Sequence, residues 1–416
     1  AVVTSDHRGN MGMHYTSVPN IMKVIEPLFL DELYSEFEKS YESKTKLQNL
    51  LNRLAKIKIF DPACGSGNFL IIAYKKLREL EMNILQRIEA LSKERTFVFS
   101  EIKLTQFYGI ELDDFAHEVA MLSLWLAEHQ MNLEFYKAFG RTSPSLPLHD
   151  GGHIVHGNAT RVNWEEVCPK NESDEIYILG NPPYQGSRKQ NKEQKEDLAF
   201  VFDGFKKFKD LDYIACWFYI GAKYIQNINA KIALVSTNSI CQGEQVDMIW
   251  PFIFELKVEI SFAYQSFKWK NNAKDNAGVS VVIIGLQNKN NSTKYLFIEN
   301  IKKQVLYINA YLVSGNNIIV KRTNKQISNL PLMPKGNMPY DGGNLSLSEQ
   351  EKEKLINDYP ESTKFIKKLI GAEEFLDGKQ RFCLWLSNKN LNDALKIEPI
   401  KTRIENVKNM RLSSTD

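Results

Sequence analysis

Short apolar runs alternate along this chain with longer stretches in which apolar residues recur every three or four positions. The runs lie at 56–60, 106–110, 153–155, 176–179, 231–235, 258–263 and 279–285. Runs of this length are typical of buried strands in parallel sheets, and the recurring apolar residues between them are typical of helices. The pattern therefore predicts an α/β fold with a Rossmann-like, doubly wound sheet of about seven strands.

Two regions lie outside this alternation. Near the N terminus, 11–30 contains Ile21, Val24 and Ile25 at helical spacing, which predicts a capped helix that approaches the core from outside. From about residue 302 the apolar runs become short and are interrupted by polar turn sequences. We therefore predict a first domain at 1–310 and the start of a second, mixed α+β domain at 311–416.

Composition restricts the possible functions. The chain has 416 residues, of which 43% are hydrophobic and 25% charged, as is ordinary for a globular protein of two or three domains. The net charge of +3 comes from 53 basic and 50 acidic side chains, so contacts with nucleic acid must come from local basic patches. Five cysteines without C-x-x-C spacing argue against a zinc site or a disulfide framework and favour a reducing compartment.

The sequence contains no apolar run long enough to cross a bilayer. We therefore expect a cytoplasmic protein with no membrane partner and no bound metal. The first residue is Ala rather than Met, and the last six residues carry no closing signal. From this we expect the sequence to be part of a longer polypeptide.

The sequence Asp-Pro-Ala-Cys-Gly-Ser-Gly-Asn-Phe-Leu at 61–70 lies between the first predicted strand and the helix after it. Glycines at such a junction let a ligand approach the backbone, and the start of the helix offers free N–H groups. The sequence lacks the Gly-Lys-Ser/Thr ending of a phosphate-binding loop and the third glycine of a dinucleotide-binding turn. A tight connection without a ligand remains the alternative.

Polar residues also follow the second and third predicted strands. Glu111 is placed where one carboxylate can accept hydrogen bonds from two ribose hydroxyls, whereas Asp113 or Asp114 better suits the first turn of a helix. Asn158 offers an amide that can pair with the edge of an adenine ring, although a simple turn residue is an equal alternative.

The most specific sequence in the chain is Asn181-Pro182-Pro183-Tyr184, at the end of the fourth predicted strand. The prolines remove two N–H donors and stiffen the turn, which leaves backbone carbonyls for a ligand. The amino group of adenine is a poor nucleophile because its lone pair is delocalised into the ring. The Asn181 side-chain oxygen and the Pro182 carbonyl can accept its hydrogens, and Tyr184 can stack on a base rotated out of a duplex.

The order of these motifs resembles that of the class I methyltransferases that act on adenine N6 in DNA, in the gamma arrangement with the cofactor motifs first. The resemblance implies a catalytic turn formed by Asn181, Pro182, Pro183 and Tyr184. It also implies S-adenosyl-L-methionine as cofactor, with binding residues Thr16, Asp61, Ala63, Gly65, Gly67, Asn68, Phe69, Glu111, Leu112, Asn158 and Ala159. Thr16 would lie in a segment, 11–30, that closes over the methionine carboxylate; a helix-cap role for Thr16 and Ser17 is the alternative.

Further sequences, at 211–213, 236–245, 267–274 and 333–345, resemble the MmeI-type (type IIL or IIG) restriction-modification enzymes. These enzymes join an adenine methyltransferase, a target-recognition domain and an amino-terminal nuclease in one polypeptide. The resemblance implies a site-specific methyltransferase of double-stranded DNA, with the nuclease absent from this sequence and the recognition domain incomplete. A nuclease in the same full-length polypeptide is then the expected partner.

An aromatic loop at 267–269 is expected to form a second wall for the flipped base. Ordinary packing is an equal alternative for Phe267 and for Trp269. The basic residues Lys268 and Lys270 suit contacts with DNA phosphates.

Three other functions stay open. A protein-glutamine methyltransferase shares the Asn-Pro-Pro-Tyr turn but does not need a domain of about 130 residues after its sheet. An RNA adenine methyltransferase is not excluded by the catalytic motifs. The chain can also be a DNA-recognition fragment without activity of its own.

Overall fold

The computed structural model of the protein describes residues 16–92, 99–140, 151–171, 173–269, 279–299, 301–323, 328–331, 336 and 339–413. The chain divides into two compact units, Ala1–Thr323 and Asn324–Asp416. Within the described ranges, no helix is both long enough and apolar enough to span a membrane.

The first unit alternates helices and strands. Its α-helices are α1 (Val18–Ile25), α2 (Asp31–Ser40), α3 (Lys44–Leu54), α4 (Asn68–Ser92), α5 (Asp114–Phe139), α6 (Trp164–Val167), α7 (Lys192–Val201), α8 (Ala215–Tyr224) and α9 (Gly243–Glu255). Its strands are β1 (Ile57–Asp61), β2 (Phe107–Glu111), β3 (His153–His156), β4 (Glu175–Gly180), β5 (Ala230–Thr237), β6 (Val258–Trp269), β7 (Val279–Asn288), β8 (Lys294–Ile298) and β9 (Ile301–Val305).

These strands form one sheet in the order β3-β2-β1-β4-β5-β7-β6-β8-β9. Strands β1 to β5 are parallel to one another, and β7 runs antiparallel to both β5 and β6. The carboxyl ends of β1 to β5 therefore meet at one edge, which is where ligands bind in doubly wound folds. The predicted α/β fold is confirmed, and β8 and β9 extend the sheet beyond the seven predicted strands.

Apolar cores cover both faces of the sheet because successive strand residues point to opposite sides. Ile178 and Ile232 pack in the core that contains Trp217 of α8 and Trp250 of α9. Their neighbours Leu179 and Ala233 belong to the opposite core, together with the apolar faces of α1, α3, α4 and α5. Each side chain at the carboxyl edge is thus held by strands that are buried on both faces.

The helix predicted near the N terminus is present. α1 begins after its N-cap Ser17 and buries Ile21, Val24 and Ile25. A π-helical turn, Glu26–Leu30, connects it to α2. Residues 11–15 of the predicted 11–30 segment lie outside the described part of the chain.

The second unit contains a small antiparallel sheet of strands β10 (Ser346–Leu347), β11 (Ile366–Lys368) and β12 (Phe382–Leu384), in the order β10-β12-β11. Its helices are α10 (Glu349–Asp358), α11 (Ala372–Asp377), α12 (Leu391–Ala394) and α13 (Glu398–Ser413). Leu347, Phe365, Leu384 and Ile400 form a core of its own. The second unit is therefore a mixed α+β structure, as predicted.

Candidate active site

The glycine turn joins β1 to α4 at the carboxyl edge of the sheet. Gly65 and Gly67 have φ angles of +55° and +83°, which are left-handed conformations that favour glycine. A Cβ at Gly67 would lie 3.4 Å from the Cα of Ala120 in α5, whereas nothing lies within 4 Å of a Cβ at Gly65. The N–H of Cys64 donates to the Ile110 carbonyl of β2 at 3.1 Å. The turn is therefore fixed to its neighbouring strand and stays open to a ligand at Gly65.

Glu111 ends β2 and holds the glycine turn in place. Its Oε2 accepts from the N–H of Gly65 at 2.7 Å, and its Oε1 accepts from the N–H of Asp113 at 2.9 Å. Burial raises the pKa of the Glu111 carboxyl above its ordinary value, although these two hydrogen bonds act in the opposite direction. Asp113 instead caps α5 by accepting from the N–H of Ala116. Each carboxylate oxygen of Glu111 can accept more than one hydrogen bond, so a ribose hydroxyl can still be bound there.

Asp61, the last residue of β1, is only 1% exposed. Its Oδ1 accepts from the N–H of Ala63 at 3.0 Å, and its Oδ2 has no hydrogen-bond partner among the described residues. Burial raises the pKa of this carboxyl to about 8. On the adjacent strand β4, a Cβ at Gly180 would lie 2.5 Å from Oδ1 of Asp61. The acid of the glycine turn therefore touches the residue that precedes Asn181.

The Asn181-Pro182-Pro183-Tyr184 turn follows β4, beside the glycine turn. The Oδ1 of Asn181 is buried and has no hydrogen-bond partner in the described part of the chain. An unsatisfied acceptor of this kind costs about 1–3 kcal/mol unless a ligand donates to it. Tyr184 packs against the core that contains Trp217, and burial raises the pKa of its hydroxyl. The turn thus presents an oxygen acceptor next to a partly buried aromatic ring.

Asn158, two residues after β3, makes more hydrogen bonds within the protein than we predicted. The Oδ1 of Asn158 accepts from the N–H and the hydroxyl of Thr160 at 2.9 and 2.7 Å, and its Nδ2 donates to Asp197 at 2.9 Å. One Nδ2 hydrogen is left for a ligand. Ala159 is buried, whereas Leu112, just after β2, is 60% exposed and offers apolar surface at the same edge of the sheet. The pairing of Asn158 with adenine stays a prediction that rests on a single donor.

The remaining candidate cofactor residues occupy the two helix starts. Asn68 begins α4 and donates to the Ser66 hydroxyl at 3.4 Å, and the next residue, Phe69, is buried. Thr16 is buried immediately before α1, and Ser17 rather than Thr16 is the N-cap of that helix. The cap alternative for Thr16 and Ser17 therefore holds at Ser17, and the closing role of Thr16 stays a prediction.

The predicted aromatic loop at 267–269 is wrong, because these residues form the end of β6. The ring of Phe267 lies under the Lys23 ammonium at 5.1 Å and meets Tyr264 edge-on at 6.2 Å. It packs against the core of α1 to α5, opposite to the core that Tyr184 contacts. These contacts favour packing for Phe267. Lys268 is exposed, and the side chain of Trp269 and all of Lys270 lie outside the described residues.

Two side chains that bind the backbone of the site were not assigned a role from the sequence. The indole Nε1 of Trp217 donates to the Pro62 carbonyl in the glycine turn at 3.1 Å. The Asp212 carboxylate accepts from the N–H of Gln185, directly after Tyr184, at 2.8 Å. In the sequence, Trp217 is one of several apolar residues of a predicted buried helix. Asp212 is marked only by its position in 211–213, one of the sequences that resemble the MmeI-type enzymes.

The sequence profile of the MmeI DNA-methyltransferase domain matches residues 37–298. The chain belongs to the MmeI family. A second profile, that of the MmeI target recognition domain, matches residues 314–416. The first match covers the glycine turn and the Asn-Pro-Pro-Tyr turn, and the second match covers the smaller α+β unit.

Members and relatives of the MmeI family align with the whole chain. DNA methyltransferase A of Bacillus subtilis (strain 168) is 54% identical over 421 residues, which cover 100% of this chain and 47% of that protein. The solved structure of the type IIL restriction-modification enzyme MmeI in complex with DNA matches with a TM-score of 0.86 and 38% identity, over 100% of this chain and 56% of that one. This chain spans about half the length of these two relatives.

A more distant relative aligns with part of the chain. The type II restriction enzyme and methyltransferase RM.Eco57I of Escherichia coli is 27% identical over 175 residues, which cover 37% of this chain and 17% of that protein.

Proposed function

We propose that this chain is the methyltransferase and target-recognition part of a restriction-modification enzyme. It would transfer a methyl group from S-adenosylmethionine to N6 of an adenine in double-stranded DNA. The observation that carries the proposal is the buried Oδ1 of Asn181, an acceptor with no partner among the described residues, on the strand next to that of Asp61. The relatives named above, a DNA methyltransferase and restriction-modification enzymes, support DNA as the substrate.

The residues at the carboxyl edge fit S-adenosylmethionine. Oδ2 of Asp61 offers an acceptor for the ammonium group of the cofactor, and Glu111 offers acceptors for its ribose hydroxyls. Leu112 offers apolar surface for its adenine, and Gly65 lets it approach the backbone. When bound, S-adenosylmethionine supplies an electrophilic methyl group.

In the proposed reaction, Asn181 and Pro182 make the target amine a better nucleophile. The Asn181 Oδ1 and the Pro182 carbonyl accept the two hydrogens of adenine N6, which favours the pyramidal geometry in which the lone pair leaves the ring. S-adenosylmethionine, when bound, would supply its methyl group to this lone pair and leave as the neutral thioether, and the methylated amine would pass one proton to solvent. Tyr184 holds the base by stacking after it leaves the duplex. Position and preplaced acceptors are sufficient, so no covalent nucleophile is required.

The alternatives have less support. The profile match at 314–416 is to a recognition domain for DNA targets, which neither a protein-glutamine nor an RNA methyltransferase would need. A DNA-recognition fragment that is inactive without its missing parts would keep both turns, so an assay must distinguish it. Cofactor binding without methyl transfer would favour that alternative. A nuclease in the same full-length polypeptide and a cytoplasmic location remain predictions.

The proposal is tested by single-turnover methyl transfer from labelled S-adenosylmethionine to unmethylated genomic DNA, followed by identification of the modified base. We expect N6-methyladenine as the product. Asn181→Ala should lower the rate by about 100-fold or more, the scale of losing one preorganised hydrogen-bonding group. Asn181→Asp should keep part of the activity, since a carboxylate still accepts hydrogen bonds.

Asn52→Ala is a matched control, because Asn52 is exposed on α3 and its replacement leaves the sheet untouched. It should transfer methyl groups at the unmutated rate. Unmutated activity in Asn181→Ala, or a product methylated at cytosine C5, would contradict the proposed mechanism.

A further inference from the structure

Asp212 is a buried carboxylate that the catalytic scheme does not use. It lies between α7 and α8 and is 4% exposed. Within the described part of the chain its hydrogen-bond donors are neutral: the Gln185 N–H at 2.8 Å, the Ser239 hydroxyl at 3.0 Å, the Thr237 hydroxyl at 3.3 Å and the Ile214 N–H at 3.4 Å. Burying a carboxylate costs free energy unless hydrogen bonds compensate for it, and here that compensation comes from donors on separate segments of the chain.

The partners of Asp212 lie at the ends of two neighbouring strands. Gln185 directly follows Tyr184 beyond β4, and Thr237 is the last residue of β5. The adjacent residue Tyr213 donates its N–H to the Gln185 carbonyl at 3.0 Å. Both backbone groups of Gln185 are therefore bound, its N–H by Asp212 and its C=O by Tyr213.

Further hydrogen bonds hold the Asp212 segment itself. The Gln245 side chain of α9 accepts from the N–H of Asp212 at 2.9 Å. The Gln190 amide nitrogen donates to the carbonyls of both Gln185 and Leu211, at 2.8 and 2.9 Å. The segment is thus fixed to α9 on one side and to the residue after the catalytic turn on the other.

The catalytic turn needs such a fixed point because its own backbone cannot provide one. Pro182 and Pro183 have no N–H, so neither can donate a hydrogen bond that would hold the turn closed. The direction of the Pro182 carbonyl and of the Tyr184 ring then depends on where the chain is held immediately afterwards, at Gln185.

We propose that Asp212 is a positioning residue of the methyltransferase. It binds Gln185 to the end of β5 and thereby holds the Asn181–Tyr184 turn in the geometry that presents its acceptors to the target base. Asp212 acts through Gln185 and does not touch the substrate. This inference rests on the proposed function, because it assigns Asp212 to the same methyl-transfer site.

The test compares Asp212→Ala with Asp212→Asn in the full chain. Asparagine keeps an oxygen for the Gln185 N–H, and its Nδ2 can donate to the hydroxyl oxygens of Thr237 and Ser239. We expect Asp212→Ala to lower the single-turnover rate by about 100-fold, the effect of misplacing a group by about 1 Å, with the affinity for S-adenosylmethionine changed by less than about twofold. Asp212→Asn should recover at least about a tenth of the unmutated rate.

Asp210→Ala is the control for removing a nearby carboxylate, because Asp210 is exposed and, among the described residues, is bonded only through its backbone carbonyl, which accepts from Gln245. It should behave like the unmutated chain. If Asp212→Ala does not fold, Thr237→Val combined with Ser239→Ala removes the hydroxyl donors instead and should also lower the rate without changing cofactor affinity.

Hydrogen–deuterium exchange separates this inference from the proposed function. In Asp212→Ala, peptides that cover 180–190 should exchange faster, while those covering the glycine turn at 61–70 should not change. If the unmutated chain methylates no adenine, the proposed function is wrong. The effect of Asp212 on the 180–190 segment is then tested by hydrogen–deuterium exchange alone. The positioning role would be overturned if Asp212→Ala kept the methyl-transfer rate and the exchange of the unmutated chain. It would also be overturned if Asp212→Ala and Asp212→Asn lost rate, cofactor affinity and stability equally.

Discussion

Replacing Gly180 with alanine tests whether the contact between the two turns sets the geometry of the site. The added methyl carbon would lie 2.5 Å from Oδ1 of Asp61, which is about 0.9 Å inside the 3.4 Å at which ordinary contact begins. Asp61 cannot turn away freely, since it is 1% exposed and its Oδ1 is bonded to the N–H of Ala63. Gly180 also has a φ of +156°, which alanine rarely adopts, so the substitution strains the backbone as well. Either the glycine turn or the backbone at Asn181 must therefore move.

The cost of this movement can be estimated. Overpacking of a well-packed site lowers the free energy of unfolding by about 1–3 kcal/mol. A displacement of nearly 1 Å between the cofactor residues and the catalytic turn should lower the methyl-transfer rate by about 100-fold. Because Asp61 is also a proposed cofactor acceptor, the affinity for S-adenosylmethionine should fall in the same variant.

Chemical unfolding, calorimetry with S-adenosylmethionine and single-turnover methyl transfer measure these three effects. Gly186→Ala is the matched control, since Gly186 has a φ of −61° and nothing lies within 4 Å of its Cβ position. This control should stay within about 0.5 kcal/mol of the unmutated stability and keep full activity. If Gly180→Ala bound the cofactor and transferred methyl groups like the unmutated chain, contact between the turns would not determine the site.

Two further predictions concern the acidic residues. Glu111→Ala removes the acceptor for the Gly65 and Asp113 N–H groups. Calorimetry should show S-adenosylmethionine binding weakened by about 10- to 100-fold, which is the scale of a hydrogen bond to a charged group. Unchanged affinity would remove Glu111 from the site. Burial raises the pKa of Asp61 from the ordinary 3.8 to about 8 in the folded protein. Between these two pH values the folded state binds a proton that the unfolded state has lost, so the stability of the protein falls as the pH rises from about 3.8 to about 8. Thermal melts of Asp61→Asn should lack this part of the fall, and identical pH profiles would contradict it.

The features of the candidate site that the structure reproduces are those whose signal is local in the sequence. Gly65 and Gly67 lie within one short turn, and the requirement for positive φ there is a property of the turn itself. Asn181 and its prolines are likewise consecutive. The alternation of strands and helices then places both turns at one edge of the sheet, so their proximity follows from the fold class.

The parts that were missed depend on contacts between distant residues. The bond from Trp217 to Pro62 joins residues 155 positions apart, and the bond from Gln185 to Asp212 joins residues 27 apart. No periodicity indicates such pairs. β9 escaped prediction because four of its five residues are exposed, and the pairing of 267–269 with β7 extends β6 through the exposed, charged Lys268.

The second unit has its own apolar core, built from residues such as Leu347, Phe365 and Ile400, and the hydrogen bonds that shape the proposed reaction centre all lie within the first unit. Under the proposed function, substitutions on the surface of the second unit would leave these hydrogen bonds unchanged. A change of target sequence would then require no change in the residues proposed to align the methyl group with the base.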